Sequence, residues 1–404
     1  MSVPTTCLLV ELHNHAHLGA VYGEPFATET MRALQGRTHD WGGYVTDLGP
    51  SRFLVMLPPD QVATPTMFPL DPVSHLERRQ VELATLPLGV DQRTACPVVT
   101  VDPVRAGGLG GKGSGFNQSE ELERCGASMP QLVPPQFGWQ WRVSYAREMA
   151  LAVAFQQALD QGRVNLALQP VVRYDQPDEH VLYQEALLRV SGLPGGVGAG
   201  RLVPVLERLG LIRALDRIVV RTVLGLLEED PLARLGCNIS AHSLVGDSWW
   251  SSILDRLAAQ PDVAARLTIE ITETAPIPDL EVAAVFVQRL KALGCRIALD
   301  DFGTGYSSVA FAREIRPDVI KLDARCLRGA RKPGPDKRIF RQLVSLCQAL
   351  APAVVAEGVE HADDMRVAFE AGVDWIQGVL LAPPLACRPR VTMRGDNVRR
   401  EAEA

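Results

Sequence analysis

Arg296-Ile297-Ala298-Leu299-Asp300-Asp301-Phe302-Gly303-Thr304-Gly305-Tyr306-Ser307-Ser308 joins a short apolar run to two adjacent carboxylates and a Gly-x-Gly turn. The run from Arg296 to Asp300 reads as a buried strand, with the acidic pair placed where it stops. Side by side in a partly closed site, two carboxylates repel and raise one another's pKa. Either one is protonated, then, or a divalent cation lies between them. The glycines free the backbone to form a mobile loop over such a cation. Taken alone, the stretch fits a solvated turn equally well; its neighbours decide.

Working outward, strands and helices alternate with unusual clarity. The expected strands are Asn165 to Val172, Val181 to Leu188, Gly236 to Ser240, Leu267 to Thr272, Arg296 to Asp300, Val319 to Leu322, Ala353 to Ala356 and Trp375 to Leu380. Eight strands alternating with helices over roughly 240 residues is the pattern of a TIM-like (β/α)8 barrel. The first two strands are too close in sequence for a crossover helix, so they should pair antiparallel. A helix from Ala146 to Gln161, preceded by Trp139 and Trp141, leads into this domain. The fold class is therefore α/β, a C-terminal barrel preceded by a smaller α+β domain.

In such barrels the chemistry gathers at the C-terminal strand ends. The polar residues there are Gln169, Glu185 with Arg189, Asn238, Glu270 with Glu273, Asp300 with Asp301, Lys321 with Asp323, Glu357 with Glu360, and Gln377. A single glutamate in a barrel strand is often a satisfied core group, but so many independent elements converging on one rim are not filler. Carboxylates and an amide oxygen are hard ligands, suited to Mg²⁺ or Mn²⁺ rather than zinc.

Bulk composition fits a globular chain. Its 404 residues are 47% hydrophobic, and the formal charge of −6 gives no basic field for nucleic acid or anionic lipid. The eight cysteines are scattered, with no Cys-x-x-Cys, as expected of reduced thiols in a cytoplasmic protein. No apolar run approaches membrane-spanning length, so no membrane insertion is expected. The sequence is compatible with the soluble part of something longer.

The N-terminal third opens with a strand, Cys7 to Leu12, then His13-Asn14-His15-Ala16-His17, a helix from about Ala27 to Gly36, and a second strand, Phe53 to Leu57. This opening resembles the GGDEF (diguanylate cyclase) domain. Glu11 stands at the first metal-binding aspartate of that family and His13 at the second. Gly19 stands at the guanine-contacting asparagine and Thr28 at the later aspartate, with only Gly23 kept. The signature itself is Gly49-Pro50-Ser51-Arg52-Phe53. A cyclase needs those carboxylates to hold its metals, so residues 1–135 are expected to be a degenerate, catalytically dead domain with a passive or protein-binding role. Three histidines at alternating positions could bind a transition metal; without a fourth ligand nearby, a solvated strand end is the better reading. A Pro-rich stretch, Pro58 to Pro72, follows. The Gly-rich segment 106–115 lacks the Gly-Lys-Ser/Thr of a phosphate loop and reads as a linker.

The second domain, residues 136–395 before a polar tail at 396–404, resembles the EAL family of cyclic di-GMP phosphodiesterases. The motifs stand in family order: Glu185-Ala186-Leu187-Leu188-Arg189, Asn238-Ile239-Ser240, Glu270-Ile271-Thr272-Glu273, Asp300-Asp301-Phe302-Gly303, Ile320-Lys321-Leu322-Asp323, Ala356-Glu357-Gly358-Val359-Glu360 and Gln377-Gly378. The resemblance implies hydrolysis of cyclic di-GMP to linear 5′-pGpG with two Mg²⁺ or Mn²⁺ ions. Glu185, Asn238, Glu270 and Asp300 would hold the first ion; Asp300, Asp301 and Glu357 belong to the second. Lys321, Glu357 and Glu185 form the implied catalytic group. Lys321 orients water or neutralises charge and Glu357 is a candidate base, with the choice left open. Gln169, Leu188, Arg189, Asp323 and Gln377 are the implied substrate contacts. Glu273 would anchor the loop after Asp301, and a homodimer through the barrel is implied. Val190, Val379 and Pro383-Pro384 depart from the family at rim positions without removing a metal ligand. A non-hydrolysing receptor or scaffold is the rival, although a binder would not need the complete acid set.

Overall fold

Alternation along the strands decides what faces the inside of this protein. The computed structural model describes residues 6–57, 79, 82–84, 87–90, 92–104, 132–135, 138–177, 179–272, 275–303, 309–332 and 334–390. The Pro-rich stretch from Pro58 to Pro72, the Gly-rich segment 106–115, Glu273, residues 304–308 including Gly305, and the tail 396–404 lie outside them.

The smaller unit is an antiparallel sheet of order β2-β3-β1-β6: β1 (Thr6–Leu12), β2 (Tyr44–Gly49), β3 (Arg52–Leu57) and β6 (Val99–Val104). A two-stranded ribbon, β4 (Leu88–Val90) with β5 (Arg93–Ala95), lies beside it in sequence. Helices His15–Tyr22 and Glu24–Thr38 follow β1. In β3, Phe53, Val55 and Leu57 are buried and alternate with half-buried neighbours, the period-two signature of a sheet with one face on the core. Strand β2 was not foreseen; it is almost wholly exposed and carries little apolar signal.

The larger unit is a closed barrel. Its strands are β7 (Val164–Arg173), β8 (Val181–Val190), β9 (Leu235–Ser240), β10 (Leu267–Thr272), β11 (Arg296–Phe302), β12 (Val319–Leu322), β13 (Ala353–Ala356) and β14 (Trp375–Ile376). β8 through β14 pair in parallel, while β7 runs antiparallel to β8 and closes the ring against β14. The expected antiparallel first pair is therefore present, and it inverts one stave of the barrel.

Each stave has two parities. Outward residues such as Ile269, Ile271, Ile297, Leu299, Ile320 and Leu322 are buried under the surrounding helices in the main core. Inward residues Val171, Tyr183, Ala298, Val319 and Val355 form a separate apolar layer inside the ring. A residue two places further along an inward parity reaches the layer above, where the polar side chains gather.

Beside shifts of one or two residues at other strand ends, two boundaries and one added strand depart from expectation. β14 ends at Ile376, not Leu380, because the chain turns there: the Gln377 carbonyl accepts from Val359 N–H and Leu380 N–H donates to the Val359 carbonyl. β11 continues to Phe302 through an irregularity between Leu299 and Phe302, with Asp301 at φ +55°. An additional strand, β15 (Leu385–Arg390), pairs antiparallel with the first half of β7. It follows Pro383-Pro384, whose prolines obscured the strand signal.

The histidine reading also changes. His13 is fully buried and its Nε2 lies 2.9 Å from Thr100 Oγ1, while His15 and His17 belong to the helix His15–Tyr22. They neither alternate along an extended segment nor sit in solvent. His17 stacks on Tyr145 and lies near Trp141, both on the long helix Trp139–Asp160.

That helix starts seven residues before its expected start and joins the two units. Tyr145, Met149, Ala152 and Phe155 are buried in one core that runs continuously from β1 to the barrel. Asn14 Nδ2 donates to the Cys96 carbonyl at 3.1 Å and to Tyr145 Oη at 3.4 Å, and Asn14 Oδ1 accepts from Val98 N–H at 3.0 Å. Among the described residues no helix is long and apolar enough to cross a membrane. Met149→Ala should cost about 2–5 kcal/mol, the range for truncating a fully buried methionine. Chemical denaturation should show the loss, with the small unit unfolding ahead of the barrel; a single unshifted transition would refute this coupling.

Candidate metal centre

The inward parity places Glu185 on β8, Asn238 on β9, Glu270 on β10, Asp300 on β11 and Lys321 on β12 around one space. Glu357 stands one residue past β13, its N–H continuing the ladder to the Leu322 carbonyl at 3.1 Å. Gln377 stands just past β14, its N–H donating to the Ala356 carbonyl at 3.0 Å. Gly378 must be glycine, since a Cβ there would lie 2.1 Å from the Val359 carbonyl oxygen.

Lys321 occupies the centre and is completely buried. Its Nζ lies 2.8 Å from Glu185 Oε2, 2.7 Å from Glu270 Oε2, 3.2 Å from Asp300 Oδ1 and 2.7 Å from Glu357 Oε1. Glu185 is held further by Asn238 Nδ2 at 2.6 Å and Gln377 Nε2 at 2.7 Å. Gln377 Nε2 also approaches Gln169 Oε1 at 3.5 Å, and Gln169 Nε2 donates to the Ala382 carbonyl at 3.1 Å.

Asp300 and Asp301 are sequence neighbours that a regular pleat would send to opposite faces. The irregularity in β11 and the left-handed backbone at Asp301 bring an oxygen of each, together with one of Glu357, within 4.8 Å of one another. Glu185, Glu270 and Asp300 form a second such set, so Asp300 belongs to both.

The electrostatics show a site short of positive charge. Burial and the neighbouring Glu185 push the Glu270 carboxyl up to about 8. Burial and Asp300 push Asp301 up to about 7 and lift Glu357 well above the usual carboxylate range. Burial also raises Asp300. For Glu185 burial acts in the same direction, but the Lys321 charge and the hydrogen bonds from Lys321, Gln377 and Asn238 prevail and hold it low. For Lys321 burial is likewise outweighed, by Asp300, Glu185, Glu270 and Glu357, and its ammonium is held well above its ordinary range.

The residues fit divalent cations. The donor set is all oxygen, and Asn238 Oδ1 and Glu270 Oε1 are buried with no hydrogen-bond donor among the described residues. Fully ionised, Glu185, Glu270, Asp300, Asp301 and Glu357 would outnumber the Lys321 ammonium at their centre by four charges, an excess that two divalent ions would cancel.

The remaining expected residues lie elsewhere. Arg189 is exposed beyond Glu185 on β8, its Nη1 donating to the Leu188 carbonyl at 3.0 Å. Leu188 has the outward parity and packs on the main core, so the structure does not bring its side chain to the acids. Asp323 caps the helix Ala324–Gly329, pairs with Arg325 at 3.0 Å and shares a hydrogen bond with Asp301. Sequence reasoning missed Tyr183, which lies inside the ring directly below Glu185; its only sequence signal is the two-residue spacing.

Comparison with known proteins agrees with this geometry. Residues 152–384 match the family model described as the EAL domain. The chain is 30% identical over 244 residues to cyclic di-GMP phosphodiesterase PdeF of Escherichia coli, covering 59% of this chain and 32% of that protein. It is 28% identical over 327 residues to cyclic di-GMP phosphodiesterase NbdA of Pseudomonas aeruginosa, covering 77% and 40%. The chain thus spans well under half the length of these curated relatives. Among solved structures, the FimX EAL domain of Xanthomonas citri in complex with c-diGMP superimposes with a TM-score of 0.51 at 25% identity, covering 62% of this chain and 99% of that one. The S helix-GGDEF-EAL structure of Vibrio cholerae LapD has a TM-score of 0.51 at 17% identity over 95% of this chain and 90% of that one, a likeness of fold alone. With the family model matched over more than half of its length and its barrel mouth lined by the motif acids, this protein belongs to the EAL domain family.

Proposed function

We propose that the protein hydrolyses one phosphodiester bond of cyclic di-GMP, giving linear 5′-pGpG, with two Mg²⁺ or Mn²⁺ ions. One observation carries this: four carboxylates from four staves converge on a single buried ammonium, and Asp300 is common to two sets of acids close enough to share an ion, the second of which adds Asp301. Glu185, Asn238, Glu270 and Asp300 would hold one ion, and Asp300, Asp301 and Glu357 the other. Bound there, such a pair supplies Lewis acidity at phosphorus and an acidified water.

The chain's own residues do the rest. Glu357, half-buried at the rim, is placed to accept the proton of the attacking water, and Lys321 offsets charge that gathers on the phosphate. Gln169 and Gln377 border the same space and contact the ligand, with Arg189 gripping a phosphate from the end of β8. Asp323 acts on the ligand only after exchanging its bond to Asp301, and Leu188 contributes through its backbone. Glu273, outside the described residues, is assigned the anchoring of the loop after Asp301 by the family resemblance alone.

Residues 1–135 are, in this proposal, a degenerate GGDEF-like domain without cyclase activity and a surface for a protein partner. The protein works in the cytoplasm as a homodimer. Leu280 and Val285 on the helix Leu280–Ala292 are exposed beside a groove of about 660 Å³ that reaches Phe311, and this apolar face suits a second copy.

Purified protein incubated with cyclic di-GMP and Mn²⁺ should yield 5′-pGpG on chromatography. Glu185→Ala should lower turnover more than about a hundred-fold, the scale of losing a charge-stabilising group. A folded wild type that binds the dinucleotide without cleaving it would transfer the assignment to a receptor.

The acids also predict how stability depends on pH. Glu270 rises from 4.5 unfolded to about 8 folded, so between those values the folded chain binds more protons than the unfolded one. Stability contributed by this group is complete below pH 4.5 and is lost as pH rises towards 8. Asp301, from 3.8 to about 7, has the same sign, as does Asp216, which is buried away from the cluster. Melting of the ion-free protein should therefore weaken from pH 5 to pH 8, and the gain on adding Mn²⁺ should be larger at pH 8. A Mn²⁺ gain that does not grow with pH would contradict the assigned charge deficit.

A further inference from the structure

Tyr183 lies on β8 with the inward parity, two residues before Glu185, and is 1% exposed. Its hydroxyl is buried with no hydrogen-bond partner among the described residues. A phenol that merely filled this layer would be better replaced by phenylalanine, because an unpartnered buried hydroxyl is costly.

The neighbouring stave explains how the ring fits. A Cβ at Gly236 on β9 would lie 2.6 Å from Tyr183 Cε2, 2.8 Å from Cδ2 and 2.3 Å from Glu270 Oε1. The missing side chain of Gly236 is thus a gap shared by the tyrosine ring and one oxygen of Glu270. Glu270 Oε1 also lacks a hydrogen-bond donor among the described residues, while Oε2 is taken by the Lys321 ammonium at 2.7 Å. A buried donor without an acceptor stands beside a buried acceptor without a donor, and of the charged groups around the phenol Glu270 acts on it most strongly.

We propose that the Tyr183 hydroxyl is a positioning group for Glu270 in the cation-loaded site, donating a hydrogen bond to the carboxylate. This rests on the function proposed above. Without cations, Lys321 is the strongest attraction available to Glu270 and sets the carboxylate's orientation. With divalent charge in the site, that attraction is shared, and a small rotation gives Tyr183 its acceptor. An outer donor of this kind fixes a ligating carboxylate, and removing one typically weakens metal binding about 10–100-fold. Gly236 is the companion requirement, since any larger residue would occupy the space in which the two meet.

Tyr183→Phe in the full chain tests the assignment, with Mn²⁺ titrated calorimetrically against wild type. The variant should bind Mn²⁺ about ten-fold more weakly or worse. Its ion-free melting temperature should equal or exceed that of wild type, because the substitution removes a hydroxyl that has no partner in that state. Unchanged Mn²⁺ affinity would overturn the inference and leave the proposed function standing, and a lowered ion-free melting temperature would overturn it by showing a merely structural hydroxyl. A wild type that takes up no Mn²⁺ would overturn the proposed function itself.

Discussion

The ammonium of Lys321, sealed inside the barrel with four carboxylates within 3.2 Å, is the interaction on which the rest of this structure depends. Neither partner is tolerable alone. A solitary buried lysine would shed its proton, and a solitary buried acid would keep one. Together they hold each other in the low-dielectric space that the apolar layer of Val171, Ala298, Val319 and Val355 creates beneath them. Such clusters rarely stabilise a fold more than packed aliphatic side chains would. The excess of acids over that single ammonium makes the cluster a site that could hold a cation, as the function proposed above requires.

Much of this was legible in the sequence, for a definable reason. In Leu267-Thr268-Ile269-Glu270-Ile271 the outward parity is uniformly apolar and the inward one polar, so the acid declares itself as the exception within a buried strand. A lone polar residue closing a short, otherwise apolar run marks the staves around Asn238, Asp300 and Lys321 in the same way. The short connection between β7 and β8 gave the inverted first stave. What could not be read depended on backbone conformation or partners distant in sequence. Asp300 and Asp301 converge because of one left-handed residue and a break in register, and no propensity specifies those. β15 forms because β7 offers an edge beside the short β14, a fact of closure rather than of local composition. Tyr183 looks like any aromatic strand residue until Gly236 is placed next to it.

The small unit poses the complementary problem, a fold kept although, in the proposal above, its chemistry has gone. His13 stands where the resemblance puts a metal-binding aspartate, yet its ring is buried and bonded to Thr100. A carboxylate there would be a buried charge; an imidazole with a hydroxyl partner is not. The adjacent Asn14 spends its side chain on Cys96, Val98 and Tyr145, tying the end of β1 to the helix Trp139–Asp160. A few residues along, Val98 and Thr100 border Arg213 and Arg217, which pair with the buried Asp247 on the barrel side. The end of β1 is thus covered, and the strand beside it borders the helix Ile212–Glu229, whose Asp216 accepts from Ser240 N–H at the end of β9.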